Sequence, residues 1–165
     1  MFFGTLREIL VKKKELKIPS KNKISSVNLL IDGFHFNQVE QLVDQLVKNG
    51  IRREKIKIVV LAKREYTINT DHVNFLCPND FGWFGRIKKA EINEFIQEKS
   101  DLLISYYKEK QKKLEYITAN SQADFKVGFI VNEKLLNHIT IDISLDNYKS
   151  FIQELVKYLK AFNKL

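Results

Sequence analysis

Four apolar runs in this chain are unbroken, whereas the segments between them repeat their apolar positions every three or four residues. "VNLLI" (27–31), "IKIVVLA" (56–62), "DLLISYY" (101–107) and "FKVGFI" (125–130) lack the alternation of a strand with one wet face, and read as strands covered on both sides. After the first, Val39, Leu42, Val43, Leu46 and Val47 share one helical face, and Gly50 follows as a C-terminal stop. "KAEINEFIQEK" (89–99) and "KQKKLEYITANS" (110–121) read as two further helices. Tyr148, Phe151, Ile152, Leu155, Leu159 and Phe162 predict a last one, with Asp146 or Ser144 to cap its start and Lys157, Lys160 and Lys164 suited to its negative end. A weaker extended signal lies at "HVNFL" (72–76), and "ITIDI" (139–143) reads as a further strand.

Continuous apolar strands separated by helices imply a parallel sheet covered on both faces. The expected fold is a three-layer, doubly wound, mostly parallel α/β domain of five or six strands, Rossmann-like or flavodoxin-like. At the amino end, Phe2, Phe3, Leu6, Ile9 and Leu10 fall on one helical face, and Pro19 should end that helix. The chain thus divides into a basic amphipathic arm (1–23) and a single body (24–165). The arm has three possible fates: packing on the body, resting on a membrane surface, or docking on a partner.

Charge sharpens that division. The net charge is +8 over 165 residues. Residues 1–25 carry seven basic side chains, among them Lys12, Lys13, Lys14, Lys17, Lys21 and Lys23, against two acids. A basic end on a nearly neutral body suggests an anionic partner such as RNA, a ribonucleoprotein or an anionic membrane surface. The cations are 23 Lys and 5 Arg. Lysine offers a hydrated point charge rather than a base-reading fork, so loose electrostatic association is favoured over sequence reading. No apolar run approaches the roughly 20 residues of a bilayer span, and the basic cluster follows the apolar opening instead of preceding it. A cytoplasmic location is expected. One cysteine, Cys77, permits no internal disulfide.

In such sheets ligands enter at the carboxyl ends of strands. That edge would carry Asp32, Gly33, His35, Lys63, Tyr106, Tyr107 and Asn132, a candidate crevice for a phosphorylated or sugar metabolite. A single glycine followed by Phe34, His35 and Phe36 gives neither a dinucleotide fingerprint nor a P-loop. His35, His72 and His138 lack metal-ligand spacing, and Ser105 lacks a nucleophile elbow. No metal, cofactor or catalytic residue is expected, though Asp32 and His35 could pair. "NDFGWFGR" (79–86) has the letter order of a kinase magnesium loop. Asp80 follows Lys63 by only 17 positions, too few for a kinase catalytic segment. Asp80, Trp83 and Gly85 instead mark a loop anchored by aromatic rings, either folded inward or exposed as a patch.

"DLLISYY", "ADFKVGF" and "NYKSFIQELVKYLKAFNKL", with Asn79, Asp80, Trp83 and Gly85 as a further block, resemble a family of small uncharacterised proteins from Bacteroidota that carry a domain of unknown function. The resemblance runs from about Val27 onward and implies an organisation, not a mechanism. "DLLIS" and "ADFKVGF" are more faintly similar to the amino-terminal, Rossmann-like half of heptosyltransferase-type glycosyltransferases. There a second half, without counterpart in this sequence, binds the nucleotide sugar.

Overall fold

A computed structural model describes residues 16–82, 85–131 and 136–165. The helix expected over the first residues, with Lys12, Lys13 and Lys14, lies outside them. The elements run β1 (Val27–Asp32), α1 (Val39–Lys48), β2 (Ile56–Leu61), β3 (Val73–Leu76), α2 (Ala90–Gln97), β4 (Leu102–Tyr106), α3 (Lys112–Asn120), β5 (Phe125–Phe129), β6 (Ile139–Ile141) and α4 (Tyr148–Ala161). The strands form one six-stranded sheet in the order β3-β2-β1-β4-β5-β6. Every pairing is parallel. This is the three-layer, Rossmann-like architecture that the apolar runs imply.

Period two sorts the strand residues onto two faces. Leu29, Ile31, Ile58, Val60, Ile104 and Val127 pack with Val39, Leu42, Val43 and Leu46 of α1 and Phe151, Ile152, Leu155 and Leu159 of α4. Leu30, Val59, Leu61 and Leu103 pack on the other face with Ile92, Phe95 and Ile96 of α2 and Leu114 and Ile117 of α3. Each such side chain, fully removed from water, contributes about 1.5–3 kcal/mol before entropy is subtracted.

Helix ends follow local chemistry. At α1, Gly50 has φ +98° and its N–H bonds to Val47 O at 3.0 Å, while Ile51 N bonds to Leu46 O at 3.2 Å. These paired bonds occupy carbonyls that the helix itself leaves open. At α4 the cap is Asn147, not Asp146 or Ser144: its side chain accepts from Ser150 N at 3.3 Å. The reason is a turn in which Asn147 N bonds to Ser144 O, making Asn147 the last residue before the helix. Lys164, expected only as a charge suited to the negative end of α4, is buried there and donates to Ser20 O at 2.8 Å beside Asp124.

That contact belongs to a seam along the amino edge of the sheet. Ser20 N and Oγ donate to Asp124, Ser25 and Ser26 donate to Asp101, and Ile24 N bonds to Lys164 O at 2.8 Å. Residues 17–26 are therefore tied to the body. The expected boundary at residues 23 and 24 falls inside this seam.

Candidate functional site

The switch point of the sheet lies between β1 and β4, whose connections leave in opposite directions. The turn after β1 is wound around the buried Asp32. Its carboxylate accepts from Phe34 N at 3.0 Å and lies 2.7 Å from His35 Nδ1, and its carbonyl accepts from Phe36 N at 3.0 Å. Asp32 and His35 thus meet, with the His35 side chain 46% exposed at the rim. Gly33 donates to Leu61 O at 2.8 Å, and a Cβ there would lie 2.7 Å from Val60 Cγ1. Close approach of β2 accounts for this glycine.

Rings occupy the crevice itself. Phe36, buried, has its centroid 4.6 Å from that of Tyr106, and Tyr106 in turn meets Phe129 at 4.9 Å and Phe151 at 5.0 Å. The Tyr106 hydroxyl donates to Leu145 O at 2.7 Å, and burial pushes its pKa up. Tyr107 points to the opposite face, where its hydroxyl lies 2.9 Å from Thr118 Oγ1, and burial raises its pKa too. Both phenols are core groups. They share no crevice with each other, because neighbours on a strand point to opposite faces. Lys63 is exposed after β2, on the same edge as His35. Asn132 and Trp83 lie outside the described residues.

The kinase-like letters form a closed turn. Asp80 accepts from Cys77 N at 2.7 Å through its carboxylate and from Lys88 N at 2.9 Å through its carbonyl. Phe81 pairs with Ile87 as an isolated antiparallel bridge, and Gly82 N bonds to Arg86 O at 2.7 Å. Gly85 takes φ +75°, which favours glycine. Phe81 leans on the second core, with Lys113 Nζ 5.0 Å from its ring centroid. Lys89 lies 3.3 Å from Asp80. Partial burial opposes its charge, but Asp80 and Glu65 outweigh that cost and hold its pKa above the usual lysine value. The Asp80 carboxylate thus serves the turn.

At the amino edge Lys17 and Lys21 are exposed, while Lys23 Nζ donates to Leu165 O. This edge is the far end of the strands from His35 and Lys63, so the two groups of candidates occupy opposite ends of the body. An open depression of about 440 Å³ lies elsewhere, between α1 and residues 68–71, lined by Glu40, Asp44, Arg53 and Asp71. Arg53 pairs with Asp44 there. Among the described residues no three His, Cys, Asp or Glu side chains gather to hold a metal ion, and no helix is long and apolar enough to cross a membrane.

The model of a family of unknown function, DUF6913, matches residues 5–162. The chain belongs to DUF6913. No curated protein and no solved structure matches it. The DUF6913 match takes in both the amino-terminal segment and the body, so Asp101 and Asp124 of the seam lie within it, while Lys164 falls just past its last matched residue. The sequence alone does not name these three as partners of Ser20, Ser25 and Ser26. Their only signal is a cluster of serines after Pro19, which does not name distant acids. The sequence also leaves Arg86, Lys88 and Lys110 unplaced, since loop residues acquire a common edge only through the strand order.

Proposed function

We propose that this DUF6913 protein is a non-catalytic binding protein whose basic amino-terminal segment meets an anionic partner, RNA or a ribonucleoprotein. The observation that carries this reading is the packing of Phe36 against Tyr106 at the switch point, where a small-molecule enzyme of this architecture needs open space. Lys17 and Lys21 add to it: they are exposed on a segment that Ser20 holds to Asp124, continuous with Lys12, Lys13 and Lys14. Lysines held this way supply phosphate contacts without base reading.

Retention on RNA should fall steeply with salt and disappear on deletion of residues 1–23. Because that deletion also removes the Ser20 contacts, replacing Lys12, Lys13, Lys14, Lys17 and Lys21 together by alanine is the companion measurement. RNA binding that survives both changes refutes the reading. Flotation with anionic vesicles, if lost with the same lysines while RNA is ignored, would point instead to a peripheral membrane role.

The Asp32–His35 pair favours a second reading, a site for a phosphorylated or sugar metabolite at the carboxyl edge using His35 and Lys63. Titration with inorganic phosphate, followed by the His35 ring resonances, tests it. Unmoved resonances exclude the phosphate form of it.

A further inference from the structure

A group of cations without an acidic partner gathers at the other end of the body. β3, β2, β1 and β4 are consecutive neighbours, so their carboxyl ends lie within about 15 Å of one another. The loops leaving three of them carry Lys63, Arg64, Arg86, Lys88 and Lys110, all exposed and, among the described residues, without an acidic side chain in ion-pair range. Elsewhere on the body some cations are matched, Lys57 lying 2.7 Å from Glu98 and Arg53 pairing with Asp44, and exposed ones such as Lys48 and Lys99 sit on separate segments. Acids on the same loops are mostly engaged, Asp32 with His35 and both Asp80 and Glu65 with Lys89, leaving Glu109 exposed and, next to the start of β3, Asp71. Two rings stand out of the same edge. Phe34, from the β1 turn, is 48% exposed, and Tyr66, after β2, is 38% exposed and braced edge-on by Phe75 at 5.0 Å.

Fixed positive charge beside exposed aromatic faces is the chemistry that holds single-stranded nucleic acid: cations track the phosphates and rings stack on bases. The shape agrees. With Phe36 and Tyr106 filling the switch point, the described residues of this edge offer a track rather than a socket, which suits a polymer rather than a mononucleotide. We infer that the carboxyl edge is a single-stranded nucleic-acid surface in which Lys63, Arg64, Arg86, Lys88 and Lys110 contact phosphates and Phe34 stacks on a base. This surface shares a partner class with the preceding proposal but no residue, and the two stand or fall separately.

The test is fluorescence anisotropy of the full chain with a labelled oligouridine RNA of about 20 nucleotides across a salt series. Lys63→Ala, Arg64→Ala and Lys88→Ala combined should weaken binding about ten-fold or more and reduce the slope of log K against log salt by about 2, since each lost single-strand contact removes about 0.7. Phe34→Ala should weaken binding about ten-fold with the slope unchanged. All four side chains are exposed, so the melting temperature should not move, and an unchanged melt shows that the fold is intact. Wild-type affinity and slope in the triple variant overturn the inference. If binding vanishes instead in Lys17→Ala with Lys21→Ala while the triple variant binds normally, the amino-terminal reading survives and this one falls; the reverse result does the opposite. Displacement of the RNA by polyglutamate as readily as by unlabelled RNA overturns the stacking role of Phe34.

Discussion

His138 is held as one neutral tautomer. Its Nδ1 accepts from Lys126 N at 2.8 Å, so the proton must sit on Nε2, which donates to Lys17 O at 2.8 Å. The ring stacks on Phe125 with centroids 5.3 Å apart. Burial, aided by the nearby Lys126 charge and opposed by Asp124 and the bond to Lys17 O, lowers its pKa below 6.5. A second proton would have to enter at Nδ1 and break the Lys126 bond. The sign follows: the unfolded chain takes up that proton near pH 6.5 while the folded chain resists, so stability is full above that value and declines as pH falls below it. The melting temperature should drop between pH 7 and pH 5, and His138→Gln should flatten this limb. Asp101 and Asp124 act lower on the scale. Burial raises their pKa values, but serine donors, and Lys164 for Asp124, outweigh it and bring both below 3.8. Their contribution is present above 3.8 and is lost as pH falls through the lowered values. Lys164→Ala leaves Asp124 without its cation and should cost about 2 kcal/mol in urea unfolding.

At the scale of elements, the β1 turn shows what a sequence can and cannot announce. Unbroken apolar runs made β1, β2, β4 and β5 legible, because burial on both faces of a parallel sheet needs them. The same period-two logic separates Tyr106 from Tyr107, so adjacency in the chain was already an argument against a shared crevice. What fills the switch point was not legible. Phe36 reaches Tyr106 only after Asp32 has bent the turn through its bonds to Phe34 N, His35 and Phe36 N, a geometry that letters do not encode. Phe36→Ala should therefore destabilise by about 3–5 kcal/mol. Gly33→Ala forces a methyl against Val60 Cγ1 and Leu61 O, and should cost about 1–3 kcal/mol. Denaturant midpoints check both. If Gly33→Ala is neutral, β2 does not press on the turn as described. Asp80 was legible as a loop residue but not as the acceptor from Cys77 N, for the same reason that Asn147 was passed over as the cap of α4.

Over the whole molecule, charge and strand direction divide the surface into two ends. The amino edge carries Lys17 and Lys21 with the seam of Ser20, Asp124 and Lys164; the carboxyl edge carries Lys63, Arg64 and the exposed Phe34. The net charge of +8 was readable in composition, but its distribution depended on strand order. Hydrogen exchange should be slowest at β1 and β4, each paired on both sides, and faster at the outer strands β3 and β6. Equal protection across the six would contradict the pairing.

The seam also imposes an order on synthesis. Residues 20–26 leave the ribosome well before Lys164, which donates to Ser20 O and is made 144 residues after it. At about 5–20 residues per second, this segment waits many seconds for its partner. During that interval the α1 face also lacks α4. A chaperone acting on the growing chain would meet that uncovered face, not the one sealed earlier by α2 and α3.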